Sequence, residues 1–187
     1  MKKRTILTLT VLLVCAVFGA SSGSANATFT PVSGEWSYVV ADEGTRWTDD
    51  DGIAHIRDMV LVWTVVGGDL DIVGDTYSIV NTNLDPATGD GDVSSFDHFD
   101  VSFGDQVGVL EGHSGGPYIG FVYYSHFVEH GSGDFAGIKF RGDAVIVYGS
   151  GIMTWAGVLH DPHGGKNVDK SAIDELTSWS TVKALYR

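Results

Sequence analysis

Between residues 34 and 160, apolar and polar side chains alternate in short runs, each cut by a cluster of Gly, Asp or Asn. A period of two sends successive side chains to opposite faces, so each run predicts a β-strand with one buried face. Residues 34–41 (GEWSYVVA) form a short aromatic run, and 56–66 (IRDMVLVWTVV) a longer one rich in β-branched residues. Within 71–84, Asp71, Asp75, Asn81 and Asn83 share one parity, while Ile72, Val80 and Leu84 share the other. Within 96–103, Phe99, Val101 and Phe103 stand opposite His98 and Asp100. Runs at 117–130, 140–148 and 152–160 complete the series, with 42–52 (DEGTRWTDDDG) and 85–92 (DPATGDGD) as polar connections.

The series predicts seven or eight strands on short connections. None is followed by the helical pattern, about 10–15 residues long, of a βαβ unit. The fold class is therefore all-β: a single antiparallel barrel of about eight strands, because closure leaves no strand edge exposed. Past Asp169 the spacing changes. Ile173, Leu176, Trp179 and Val182 recur at helical intervals. The expected organisation is a barrel domain at 28–165 and a short C-terminal helix or tail at 166–187.

The first 27 residues follow a different rule. Lys2, Lys3 and Arg4 precede an apolar stretch at 6–20, and Ala25-Asn26-Ala27 supplies an A-x-A cleavage site. The pattern predicts a signal peptide cleaved after Ala27, and a secreted protein, extracellular or periplasmic. The apolar stretch falls short of the roughly 20 residues that span a bilayer, so no membrane association is expected after cleavage. Cys15, the only cysteine, leaves with the signal, so the mature chain has neither disulfide nor thiol chemistry.

Cleavage leaves 11 − 3 = 8 basic residues against 24 acidic ones, a net charge of −16. Such a field repels polyanions, which excludes nucleic acid as an expected partner. Nineteen of the acids are Asp, a residue of turns rather than helices, which agrees with the strand reading.

Residues 111–120 (EGHSGGPYIG) hold the one stretch that suggests a nucleophile. Gly112 to Gly116 fits G-x-S-x-G, and Ser-Gly-Gly-Pro resembles the serine loop of trypsin-like proteases. The surroundings argue otherwise. Of the histidines upstream, His55 lies only 59 residues before Ser114, too close for a barrel to intervene, and His113 stands where the protease aspartate belongs. A hydrolase elbow places its serine between a strand and a helix, whereas 117–130 reads as a strand. The stretch is therefore expected to be a hairpin turn whose glycines supply positive φ. On that reading Ser114→Ala leaves the fold and any activity intact.

Set beside this stretch, 131–144 (GSGDFAGIKFRGDA) carries a resemblance. An aromatic strand, a G-S-G-D-F-A-G-I turn and a returning strand with an early glycine are similar to a feature of the allene oxide cyclase-like barrels. That superfamily includes the dirigent proteins and many uncharacterised secreted bacterial and archaeal members, which this chain resembles most. GEWSY at 34–38 looks like the first strand of such a barrel, and 155–162 (WAGVLHDP) like its last. The resemblance implies a cofactor-free barrel that holds an apolar small molecule, with Phe135 and Ile138 plugging one end. It carries no catalytic residue over to this chain.

Two readings of the polar groups remain open. If the large aromatics fill the interior, the histidines face solvent, which is the preferred reading. The sharper reading gathers Tyr77, His98, Asp100, Tyr124 and His126 around a cavity. There Tyr77, Tyr124 and His126 would touch a ligand, and His98, Asp100 and His126 would be the candidate acid–base groups. No metal is expected. His160 and His163 lack a third ligand at characteristic spacing, and Asp90 and Asp92 begin a calcium-like loop that lacks its glycine and its final acid.

The function expected is the binding of a small apolar ligand in the barrel. The alternatives are a cofactor-free enzyme of the cyclase or isomerase type, and a structural or interaction domain with a filled barrel. A cavity free of ionisable walls would favour binding alone, and a cavity with an inward acid–base group would favour the enzyme.

Overall fold

The computed structural model describes residues 27–162. The signal segment through Asn26, His163 and the expected C-terminal helix lie outside the described residues. Nine antiparallel strands follow in order: β1 (Thr28–Asp42), β2 (Thr45–Thr48), β3 (Ala54–Gly68), β4 (Asp71–Leu84), β5 (Gly91–Phe103), β6 (Gln106–Ile119), β7 (Val122–Gly133), β8 (Lys139–Val147) and β9 (Ile152–Asp161). From β3 onward each strand pairs with the next, and β1 pairs with both β9 and β3. Eight long strands thus close into a barrel. β2 prolongs β1 along β3, with Thr45 opposite Arg57 and Thr48 opposite Ala54. It lies inside the segment expected to be a polar loop.

One expectation is overturned. The stretch at 111–117 is not a turn but the middle of β6, paired without a break to β5, with Ser95 opposite Ser114 and Asp97 opposite Gly112. Its glycines serve close packing. A Cβ on Gly112 would run into the Val128 carbonyl oxygen and come within 2.6 Å of Glu129 Cα on β7. The turn comes later, at Gly120 and Phe121, with φ of 57° and 65°. Positive φ at both central residues suits the twist of a two-residue hairpin. Phenylalanine disfavours that conformation. It is held there because the Phe121 amide donates to the Gly89 carbonyl and the Phe121 carbonyl accepts from the Tyr148 amide, both at 2.9 Å.

The two ends of the barrel differ. At one end Leu70, Val101, Leu110 and Phe135 have no exposed surface, and Ile138 is buried beside them. The plug expected of Phe135 and Ile138 is present. At the other end the β4–β5, β6–β7 and β8–β9 turns are laced by backbone hydrogen bonds, the last of them tied to β1 through Tyr38 N to Gly151 O at 3.0 Å.

Phe135 fills the plugged end, so Phe135→Ala leaves a cavity there. The expected cost is about 3–5 kcal/mol of stability, read as a lower urea midpoint with an unchanged far-ultraviolet spectrum.

Candidate functional site

Parity decides which side chains meet in the lumen. On β4 and β5 the inward set includes Ser78, Val80, Ser95, Asp97 and Phe99; on β7 it is Tyr123, Ser125 and Phe127. These side chains and those of the remaining strands surround a cavity of about 800 Å³ between the plug and the laced rim.

One side of the cavity is aromatic. Trp36 on β1 meets Phe99 at 5.0 Å and Trp155 at 5.2 Å, Trp155 meets Phe140 at 5.8 Å, and Phe140 meets Phe127 at 4.7 Å. Edge-to-face and tilted contacts of this kind place the positive ring edge on the negative ring face. The buried indole nitrogens of Trp36 and Trp155 have no hydrogen-bond partner.

The other side carries a polar cluster centred on Asp97, which is 4% exposed. Trp63 Nε1 donates to Ser78 Oγ at 2.8 Å. An indole N–H can only donate, so Ser78 uses its own proton toward Asp97 Oδ1, at 2.5 Å. Ser95 reaches both Asp97 oxygens, at 3.0 and 3.2 Å, and shares a 2.5 Å contact with Ser114 Oγ. Tyr123 donates to Ser125 at 3.1 Å. Burial pushes the Asp97 carboxyl above the ordinary carboxylate range, and the hydroxyls of Ser78, Ser114 and Ser95 offset only part of that rise. Tyr123 is likewise pushed up to about 12 by burial.

Glu129 on β7 pairs with Gly112, which in turn pairs with Asp97. The missing side chain at Gly112 leaves the two acids near each other across β6. Glu129 is buried beneath the cavity, and its Oε2 has no partner. Burial first, and the neighbouring Asp97 second, hold its carboxyl well above the usual range.

The mouth is flanked by the β2–β3 hairpin. His55 Nδ1 meets Asn83 Oδ1 at 2.8 Å and Nε2 meets Asp49 Oδ2 at 2.9 Å, while its ring stacks on Trp47 at 4.8 Å. The Asp49 contact, then Asn83, raises the His55 pKa, and the same contact lowers that of Asp49. Arg57 lies over the other ring system of this stack, 5.3 Å from Trp47.

The sharper grouping of Tyr77, His98, Asp100, Tyr124 and His126 is corrected by this parity, since none of the five lines the cavity. They lie on the outer face. There His98 stacks on Tyr77 at 5.0 Å and bridges Glu111 at 2.6 Å and Asp100 at 3.3 Å, and His126 meets Asp143 at 3.2 Å. Ser114, set aside as a turn residue, is brought inside. His113 points the other way, 3.2 Å from the Ser95 carbonyl oxygen, so no histidine stands beside the serine as a base. Asp90 accepts from the Gly120 amide, Asp92 from the Asn83 side chain, and His160 stacks on Phe29 at 4.4 Å. Among the described residues no three such side chains come together as a metal site.

No family model and no curated protein matches this chain. Among solved structures it is similar to a protein of unknown function from the DUF3224 family of Shewanella oneidensis. The TM-score is 0.56 at 17% identity, over 71% of this chain and 96% of that one. At that identity the likeness shows the barrel fold alone.

Both buried carboxyls bind a proton more tightly folded than unfolded. Their stabilising effect is complete below the unfolded values near 3.8 and 4.5, and is lost as pH rises through the folded values. Stability should therefore fall as pH rises above that range. Glu129→Gln, neutral at every pH, should flatten the slope and raise the melting temperature at neutral pH, as followed by calorimetry across a pH series.

Proposed function

We propose that this chain is a secreted β-barrel protein that binds one small, mostly apolar molecule in its lumen. The observation that carries the reading is the cavity itself. Its volume of about 800 Å³ falls in the range of small-molecule sites, roughly 300–1,000 Å³, and such sites combine apolar walls with a few convergent polar groups. The connected rings of Trp36, Trp155, Phe140 and Phe127 supply the apolar wall. Ser78, Ser95, Asp97 and Ser114 supply a polar group that fixes orientation. A cavity of this size counts against the filled barrel of a purely structural domain. Secretion rests on the first 27 residues, and membership of the allene oxide cyclase-like superfamily on the 131–144 turn and the closing strand.

A second reading has a specific observation behind it. Burial strengthens the hold of the Asp97 carboxyl on its proton against apolar walls, the direction a general acid needs. On that reading the barrel is a cofactor-free cyclase or isomerase, with Asp97 in the role first assigned to His98 or His126. No base is paired with it, since Ser114 and Ser95 only extend its hydrogen bonds.

Native mass spectrometry of the purified protein tests binding. The expected spectrum shows one small molecule per chain. Ala144 lines the cavity between Ser125 and Trp155, so Ala144→Phe should remove that adduct while the protein stays folded. An adduct that survives Ala144→Phe, or a protein unresponsive to an apolar library in thermal-shift assays, would count against a luminal site.

A further inference from the structure

We infer that the molecule taken up by this barrel is an organic cation, an ammonium group on an apolar body, seated against the aromatic wall with Asp97 as its counter-ion. The inference rests on the luminal binding site proposed above and names the chemistry of its occupant.

Three independent features converge on it. The first is the wall. Trp36, Trp155, Phe140, Phe127 and Phe99 form one connected array, and Tyr118 and Tyr123 add rings at 5.4 Å from each other. Ring faces carry the negative part of the aromatic quadrupole and attract ammonium groups, most strongly where water is excluded.

The second is the balance of charge inside. Among the described residues that line the cavity, Asp97 is the only carboxyl, and the only basic side chains are Arg46 and His55. Both lie at the mouth and both already face carboxylates, Arg46 Nε at 3.7 Å from Glu43 and His55 Nε2 at 2.9 Å from Asp49. An anionic ligand would find no unengaged base in the lumen. A cation finds an acid whose oxygens are already oriented by Ser78 and Ser95. Hydroxyl donors arranged on both oxygens suit a carboxylate, so the site is built to carry the charge once a cation arrives. A quaternary ammonium pairs with the ionised carboxylate, any proton on Asp97 leaving to solvent. An uncharged amine meeting the protonated acid takes the proton from the carboxyl oxygen to its own nitrogen, and charge is conserved in both cases.

The third is the external field. Between residues 28 and 162 there are 21 acidic side chains and four basic ones, Arg46, Arg57, Lys139 and Arg141. Asp49, Asp50 and Asp51 sit in the β2–β3 turn, and Asp85 and Asp90 in the β4–β5 turn, both at the open end. A negative mouth raises the local concentration of cations and depletes anions.

Two probes of the same shape separate charge from size: phenyltrimethylammonium and its neutral isostere, tert-butylbenzene. Each is titrated into the purified protein with tryptophan fluorescence as the readout. Phenyltrimethylammonium should bind at least about tenfold tighter, a difference that weakens with salt. Asp97→Asn should remove most of that preference. Equal or tighter binding of tert-butylbenzene overturns the cation assignment and leaves luminal binding standing. Cation affinity unmoved in a folded Asp97→Asn protein also overturns it. Failure of both probes on a folded protein overturns the luminal site together with the inference. The comparison of the two probes on the unaltered protein decides the matter even where the variant does not fold.

Discussion

Everything in this molecule depends on β1 pairing on both sides. Over residues 34–37 it is hydrogen-bonded to β9 and to β3 at once, with Trp36 opposite Met153 on one side and Val65 on the other. That double pairing removes both edges of the sheet, and it also forces every inward side chain to share one lumen. An eight-stranded barrel is just wide enough either to be filled by its own side chains or to hold one small molecule. This one does each in turn. Leu70, Val101, Leu110 and Phe135 fill the end near the start of β1, and the other end is left open above them. Trp36 sits at the junction, closing the barrel with its backbone and beginning the aromatic wall with its ring.

Most of the strands and the closed antiparallel architecture were legible because alternation is a local signal and closure follows from strand count and short connections. The faces were not. Along residues 94–99 (SSFDHF) the inward parity is Ser95, Asp97 and Phe99, while Phe96 and His98 point outward. A polar side chain turned inward leaves the same trace in the sequence as one turned to water. Asp97 was therefore invisible and His98 conspicuous. β6 was missed for a related reason. Glycine marks a turn by permitting positive φ, but it also marks a strand that must lie close to its neighbour, and Gly112 does the second. The turn that does occur, Gly120-Phe121, lacks the usual Asn-Gly wording and is held by its neighbours at Gly89 and Tyr148 instead.

Asp97 and Glu129 show what the closed lumen costs and what makes it tolerable. A buried carboxylate without a cation is expensive, so burial raises the proton affinity of each group. For Asp97 the Trp63–Ser78 relay and Ser95 also direct hydroxyls at its oxygens, which keeps the ionised form within reach. Glu129 has no such donors on Oε2 and sits below the cavity. The two acids, close in kind and position, therefore differ in role: one is a group that an incoming charge could ionise, the other an acid of the barrel floor that no donor reaches at Oε2.

The rim answers pH in the opposite sense. Only protonated His55 can donate to Asp49 and Asn83 at once, so its full share of hairpin stability is present at low pH and is lost as pH rises through its raised value. Asp49 imposes the lower limit, since its share is lost as pH falls through its depressed value. The hairpin is thus tied down between those two limits, whereas the lumen loses stability as pH rises and its acids ionise. The other three turns of the rim are laced to one another by backbone hydrogen bonds, and Asp85 and Asp90 add carboxylate acceptors in the β4–β5 turn, a share that is lost as pH falls through the lowered value of Asp85. The hairpin side of the mouth is the one that also loosens as pH rises, and so is adjustable from both directions. That adjustable side carries Trp47 and His55, the groups a molecule meets before it reaches the aromatic wall and Asp97.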